Sequence, residues 1–292
     1  MPVIRHRAIE VADAEVFVRE AGDPARPTLV LLHGFPSSSR HYIRLLDRLA
    51  GRWHVIAPDY PGFGLSSPLP GAPTFDRLAE ITAQVLDALG TGDYALFLFD
   101  FGAPVGFRVA LAHDARVRAV ISQNANAYAD GLGPGVAALA DWRADRQAGQ
   151  AAIDGLGSLE GTRAQWLAGA RDPEHIDPSQ YLADQAVLDL PGWAQYMQDL
   201  LWDYQFTVPR YQEFHDWLRR RAPKVLAIWG RHDPFFTPAG AHAYRADIPD
   251  AQIVLLDTGH FALEEEADTV ATTVDAFLTK HLDHPSPPRP PS

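Results

Sequence analysis

An apolar run, Ala95-Leu-Phe-Leu-Phe99, ends at one carboxylate, Asp100, with Gly102 just beyond; helical spacing then resumes through Val105, Val109 and Ala112. This reads as a buried strand, a tight turn and the start of a helix. A charged group at the tip of such a strand is costly unless it has a purpose. Turns of this kind hold a reactive side chain clear of a sheet, with Asp here where Ser is usual. Serine needs a base to remove its proton, whereas an aspartate with a pKa of about 3.9 is already ionised at neutral pH. Attack on an ordinary ester would form a mixed anhydride and expel a poorer leaving group than the attacking carboxylate. Attack at a saturated carbon bearing a strained oxygen or a halide gives an alkyl ester that water can then cleave. Two further groups stand after apolar runs: Asp233, behind Gly230, and His260, behind Gly259. Taken singly, Asp100 reads as a helix N-cap and the other two as turn residues. Three unrelated caps and turns would not be expected to fall in the order of a nucleophile, an acid and a histidine.

With His33-Gly34-Phe35-Pro36 upstream, this set resembles the α/β-hydrolase fold, in its aspartate-nucleophile branch of epoxide hydrolases and haloalkane dehalogenases. The resemblance runs from about the first strand to Phe277. It implies Asp100 as nucleophile, His260 as the base for the hydrolytic water, and Asp233 as the group that orients and stabilises the imidazole. The backbone N–H groups of Phe35 and Phe101 are then the expected oxyanion donors, and His33 is a structural residue of its loop. One position departs from the family pattern. Two residues before the nucleophile a glycine or other small residue is usual, and here Leu98 crowds the turn.

The elements that must position these groups follow a strand–helix rhythm. Residues Ile9 to Arg19 suit a hairpin turning at Ala12-Asp13, and Thr28 to Leu32, His54 to Ala57, Val117 to Ser122, Lys224 to Trp229 and Gln252 to Leu256 suit strands. Between them, Tyr42 to Leu49, Phe75 to Leu89, Ala239 to Ala246 and Thr269 to Leu278 have helical spacing. Alternation at this interval implies a mostly parallel, doubly wound sheet, whose ligand crevice lies outside the carboxyl ends of the strands. From 129 to 222 the strand runs vanish and tryptophans gather, including Trp142, Trp166, Trp193, Trp202 and Trp217. We read 1–128 and 223–282 as the two parts of one core domain, 129–222 as an inserted helical cap, and the proline-rich 283–292 as a disordered tail.

Composition excludes some chemistries. The 292 residues contain no cysteine, which removes disulfides and thiolate catalysis, and the scattered histidines show no metal-ligand spacing. A net charge of −12 argues against nucleic-acid and anionic-membrane partners. No apolar h-region opens the chain and no run is long enough to span a bilayer, so a cytoplasmic protein working without metal or cofactor on a small apolar substrate and water is expected.

Leaving groups divide the two branches. Opening an epoxide releases an alkoxide that must be protonated, which tyrosines of the cap do in epoxide hydrolases. A departing halide needs N–H donors, which dehalogenases place directly after the nucleophile and near the His-Gly turn. Here Phe101 and Phe35 occupy those positions, and neither ring can donate. Tyr204 falls where the resemblance implies a proton-donating tyrosine, with Tyr128, Tyr181, Tyr196 and Tyr211 in reserve; Trp142 occupies the region of the second. Tyr128, Asn124 and Trp142 are candidates to line the substrate pocket. Epoxide opening is favoured, with a haloalkane or haloacid dehalogenase as the alternative, and a non-catalytic binder of apolar ligands under the cap as a third reading.

Overall fold

The computed structural model describes residues 3–140, 150 and 153–282. Eight strands form one sheet: β1 (Arg5–Val11), β2 (Ala14–Ala21), β3 (Thr28–Leu32), β4 (His54–Pro58), β5 (Tyr94–Phe99), β6 (Val117–Gln123), β7 (Lys224–Gly230) and β8 (Gln252–Leu256). Their order is β1-β2-β4-β3-β5-β6-β7-β8; β2 is antiparallel to both its neighbours and all other pairs are parallel. The hairpin between β1 and β2 turns at Ala12, which takes a positive φ of 47°.

Strands β3, β4 and β5 are buried along their whole length, as unbroken apolar runs covered on both faces should be. Helices α1 (Ile43–Leu49) and α9 (Ala262–Leu282) cover one face; α2 (Phe75–Ala88) and α3 (Gly102–Ala112) lie together on the other. In α2, Leu78, Ile81 and Val85 recur at helical spacing on the buried side, and the Thr74 hydroxyl accepts the Arg77 N–H at its start. Each fully buried aliphatic side chain of this kind contributes about 1.5–3 kcal/mol. The C-terminal helix begins earlier than its periodicity predicts, at Ala262, because a kink at Glu266 joins two helical pieces.

After β3 the chain moves to β4 on one side and then returns to β5 on the other. The carboxyl ends of β3 and β5 therefore flank a topological switch point, where the loops part and leave a crevice. Between β6 and β7 lie the inserted helices α4 (Pro134–Ala140), α5 (Leu159–Leu167), α6 (Pro178–Leu188), α7 (Trp193–Asp203) and α8 (Tyr211–Arg221). The last of these packs on the sheet-side helix α3, with the Phe214 ring stacked on Phe107. Arg40, in the short 3₁₀ helix Ser39–Tyr42 that follows β3, ties α6 to the core through Gln180 and Asp184. No helix among the described residues is long and apolar enough to cross a membrane.

Candidate active site

Asp100 leaves β5 with a φ of +50°, in the left-handed region that a non-glycine residue enters only under constraint. Its neighbours supply that constraint by lacking side chains. A Cβ on Gly34 would lie 2.2 Å from the Asp100 Cβ, and one on Gly102 would lie 2.3 Å from the Leu32 carbonyl oxygen. Crowding by Leu98 is relieved in the same way. A Cβ on Gly106, one turn further along α3, would sit 2.3 Å from the Leu98 Cδ2, so the leucine fills the space that glycine vacates.

The Asp100 side chain caps no helix. Its Oδ1 accepts the Phe35 N–H at 2.7 Å, and the Phe101 N–H also favours its charged form. Phe35 reaches it because β3 and β5 are paired in register, Leu32 beside Leu98, so the loops leaving both strands meet. Oδ2 lies 3.9 Å from the His260 Nε2. Behind the imidazole, Nδ1 is 2.8 Å from the Asp233 Oδ2. A carboxylate at that distance requires the proton on Nδ1, which leaves Nε2 to act as a base toward Asp100 or a water beside it.

Asp233 is held from four directions. Its Oδ1 accepts the Phe235 and Phe236 N–H groups at 2.8 and 3.1 Å, and its Oδ2 accepts the Asn124 side-chain amide at 2.6 Å besides the imidazole. Buried acceptors satisfied this fully keep one orientation. Asn124 thus stands behind the Asp233–His260 pair and not in the cavity where its sequence position suggested it. It takes a positive φ of 48° as β6 ends, and its Oδ1 accepts the Gly230 N–H, tying β7 to β6 at the level of Asp233. A buried asparagine directly after a core strand was the available signal, but its partner lies 109 residues away.

Burial pushes the Asp100 carboxyl up to about 6, against the pull of the His260 charge and the Phe35 and Phe101 N–H groups, while the Asp233 charge pushes it further. For His260 burial alone would favour the neutral ring. The Asp233 charge and hydrogen bond, with the Asp100 charge, more than offset it and raise the imidazole above its ordinary value. His33, fully buried, is lowered to about 4 by desolvation; its Nε2 accepts the Tyr60 N–H, so it serves the loop as a neutral structural ring.

A small cavity of about 50 Å³ opens over these groups. The core supplies Phe35, Asp100, Phe101, Phe235, Phe236 and His260, and the inserted helices and their loops supply Val136, Leu139, Leu156, Gln165, Leu201 and Tyr204. A family model for the α/β-hydrolase fold matches residues 27–267. The chain belongs to the α/β-hydrolase family. This α/β-hydrolase is 37% identical over 286 residues to the uncharacterized hydrolase YNR064C of Saccharomyces cerevisiae, an alignment spanning 96% of this chain and 99% of the yeast protein. Shorter stretches match two proteins of Mycobacterium tuberculosis. Haloalkane dehalogenase 2 is 35% identical over 99 residues, 34% of this chain and 35% of its own. Epoxide hydrolase A is 33% identical over 117 residues, 39% of this chain and 36% of its own.

Of the tyrosines named from sequence, Tyr204 lines the α/β-hydrolase's cavity, its ring stacked on Phe101 at 6.1 Å. Its hydroxyl lies 3.4 Å from that of Tyr211. Burial raises the Tyr204 phenol well above 10, so it keeps its proton. Tyr128 lies elsewhere: its hydroxyl donates to the Asp247 carboxylate at 2.8 Å and its ring stacks on His215, so it does not line the pocket. Tyr196 is likewise committed, donating to the Pro61 carbonyl. Trp142 falls outside the described residues.

Proposed function

We propose that this α/β-hydrolase opens epoxides to vicinal diols through an alkyl-enzyme ester on Asp100. The observation that carries this reading is the unequal treatment of the two Asp100 oxygens. Oδ1 is occupied by the Phe35 N–H, while Oδ2 faces the cavity wall formed by His260. The free oxygen attacks an epoxide carbon, the ring C–O bond breaks, and its electron pair goes to the oxygen, which takes the Tyr204 proton. His260 then removes a proton from water, and the resulting hydroxide adds to the ester carbonyl carbon. The oxyanion that forms there takes the place of Oδ1, within reach of the Phe35 and Phe101 N–H groups. Collapse frees the diol oxygen, which takes the second water proton; the first passes from His260 back to Tyr204. The balance is one epoxide and one water to one diol, with no cofactor required.

The choice of epoxide over halide rests on the donors available. Among the described lining residues no indole N–H faces the site, and the polar side chains are Asp100, Gln165, Tyr204 and His260. The Gln165 amide already donates to the Leu156 and Gly161 carbonyls, which leaves the Tyr204 hydroxyl, a group suited to protonating an alkoxide. The partial likeness to both a dehalogenase and an epoxide hydrolase is compatible with either chemistry, so the assay must separate them. Purified protein is expected to convert a styrene oxide-type substrate to diol and to release no bromide from 1-bromoalkanes. His260→Gln is expected to stop at the ester, seen as a mass increase on the peptide containing Asp100. Bromide without diol would favour the dehalogenase, and tight binding without either product would leave only a ligand-binding role.

A further inference from the structure

We infer that Tyr211 and Asn126 form a donor relay that aims the Tyr204 proton at the leaving oxygen, making Tyr211 a positioning residue for ring opening. This rests on the epoxide reading above. A phenol that must give its proton to a substrate is best oriented when its own oxygen already accepts a hydrogen bond from elsewhere. Among the described residues the Tyr204 oxygen has one such neighbour, the Tyr211 hydroxyl at 3.4 Å. The Tyr211 oxygen in turn lies 3.5 Å from the Asn126 Nδ2, a group that can only donate.

In this relay the Asn126 amide donates to the Tyr211 oxygen, the Tyr211 O–H to the Tyr204 oxygen, and the Tyr204 O–H into the cavity; the 3.4 Å contact allows either hydroxyl to donate, and this order is the one that leaves the Tyr204 proton for the substrate. Asn126 is fixed so that its amide cannot rotate to reverse this order. Its Nδ2 also donates to the Tyr128 carbonyl at 2.7 Å, and its Oδ1 accepts the Tyr128 N–H at 3.4 Å. That oxygen further sits in a notch where a Cβ on Gly131 or Gly240 would come within 2.2 or 2.4 Å. All three residues are buried, so no bulk water competes for these hydrogen bonds. The two long distances describe a network at rest, which tightens as negative charge develops on the Tyr204 oxygen. As the ring opens, Tyr204 gives up its proton and the Tyr211 O–H stabilises the phenolate left behind; Tyr211 keeps its own proton and touches no substrate atom.

The test separates the two chemical steps in single turnovers with a styrene oxide-type epoxide. Tyr211→Phe keeps the ring that packs beside Phe214 and removes only the hydroxyl. Ester formation is expected to slow by about tenfold or more, with hydrolysis of the ester and the thermal midpoint unchanged. A purely structural role would slow both steps or lower the midpoint, and either result, like an unchanged rate of ester formation, overturns the inference. Asn126→Asp, which replaces the donor by an acceptor, is expected to slow the same step; an unslowed step overturns the relay's direction. If the parent protein itself forms neither ester nor diol, the epoxide reading has failed and the relay falls with it. Parent turnover with an unaffected Tyr211→Phe sinks the relay alone.

Discussion

On the mechanism proposed above, the charge on Asp100 also sets the timing of the base. In the free enzyme the Asp100 charge is one of the interactions that hold the His260 imidazole above its ordinary pKa. In the proposed cycle, ester formation would turn that carboxylate into a neutral group, so the imidazole would lose this support and release its proton more readily just when it must accept one from water. Two outcomes are expected. Ester formation should rise with pH through about 6 as Asp100 ionises. Ester hydrolysis should show an apparent pKa below the one that NMR reads for His260 in the free protein. A hydrolysis pKa equal to the free value, or above it, would contradict the argument, because the nucleophile's charge would then have no hold on the imidazole.

At the scale of elements, the β5-to-α3 turn depends on a trade between two positions eight residues apart in sequence. Leu98 occupies the place where a small residue is usual, and Gly106 supplies the missing room from the facing helix. Gly106→Val should destabilise by about 1–3 kcal/mol through overpacking. Leu98→Ala alone should cost about 2–5 kcal/mol by leaving a cavity. The double variant, measured by denaturant unfolding, should lose less than the sum, since the valine fills what the leucine leaves; strict additivity would show that the two side chains do not share the space. The same turn marks the limit of reading from sequence. Apolar runs that end at a carboxylate or a histidine are local patterns, so the strands and the positions of Asp100, Asp233 and His260 could be found. Compensation by Gly106, the pairing of Asn124 with Asp233, and the seating of Tyr128 on Asp247 depend on segments brought together only by folding. Tyr204 and Tyr211 are seven residues apart across two short 3₁₀ turns and not along one helix, so helical periodicity does not say that their hydroxyls meet.

For the molecule as a whole, the site is a burden on the fold, and its weight can be measured. Asp100 is buried with a pKa of about 6 against an ordinary 3.8, so the folded state binds its proton more tightly than the unfolded chain does. Stability attributable to this residue is therefore greatest below about pH 4, falls as pH rises between 4 and 6, and is level above that, where the folded protein must carry a charge that burial disfavours. Asp100→Asn removes the charge and keeps an acceptor for the Phe35 N–H. At pH 8 it should be more stable than the parent by about 1–3 kcal/mol in urea unfolding, partly offset because His260 loses a neighbouring negative charge. At pH 5, where the parent carboxyl is mostly protonated, the gap should shrink to about half. An advantage that stays constant from pH 5 to 8 would mean that packing, and not the buried charge, separates the two proteins. A variant that is more stable only where the carboxylate is ionised would mark Asp100 as a residue the fold retains at a cost to itself, as expected for a charge kept for its reactivity.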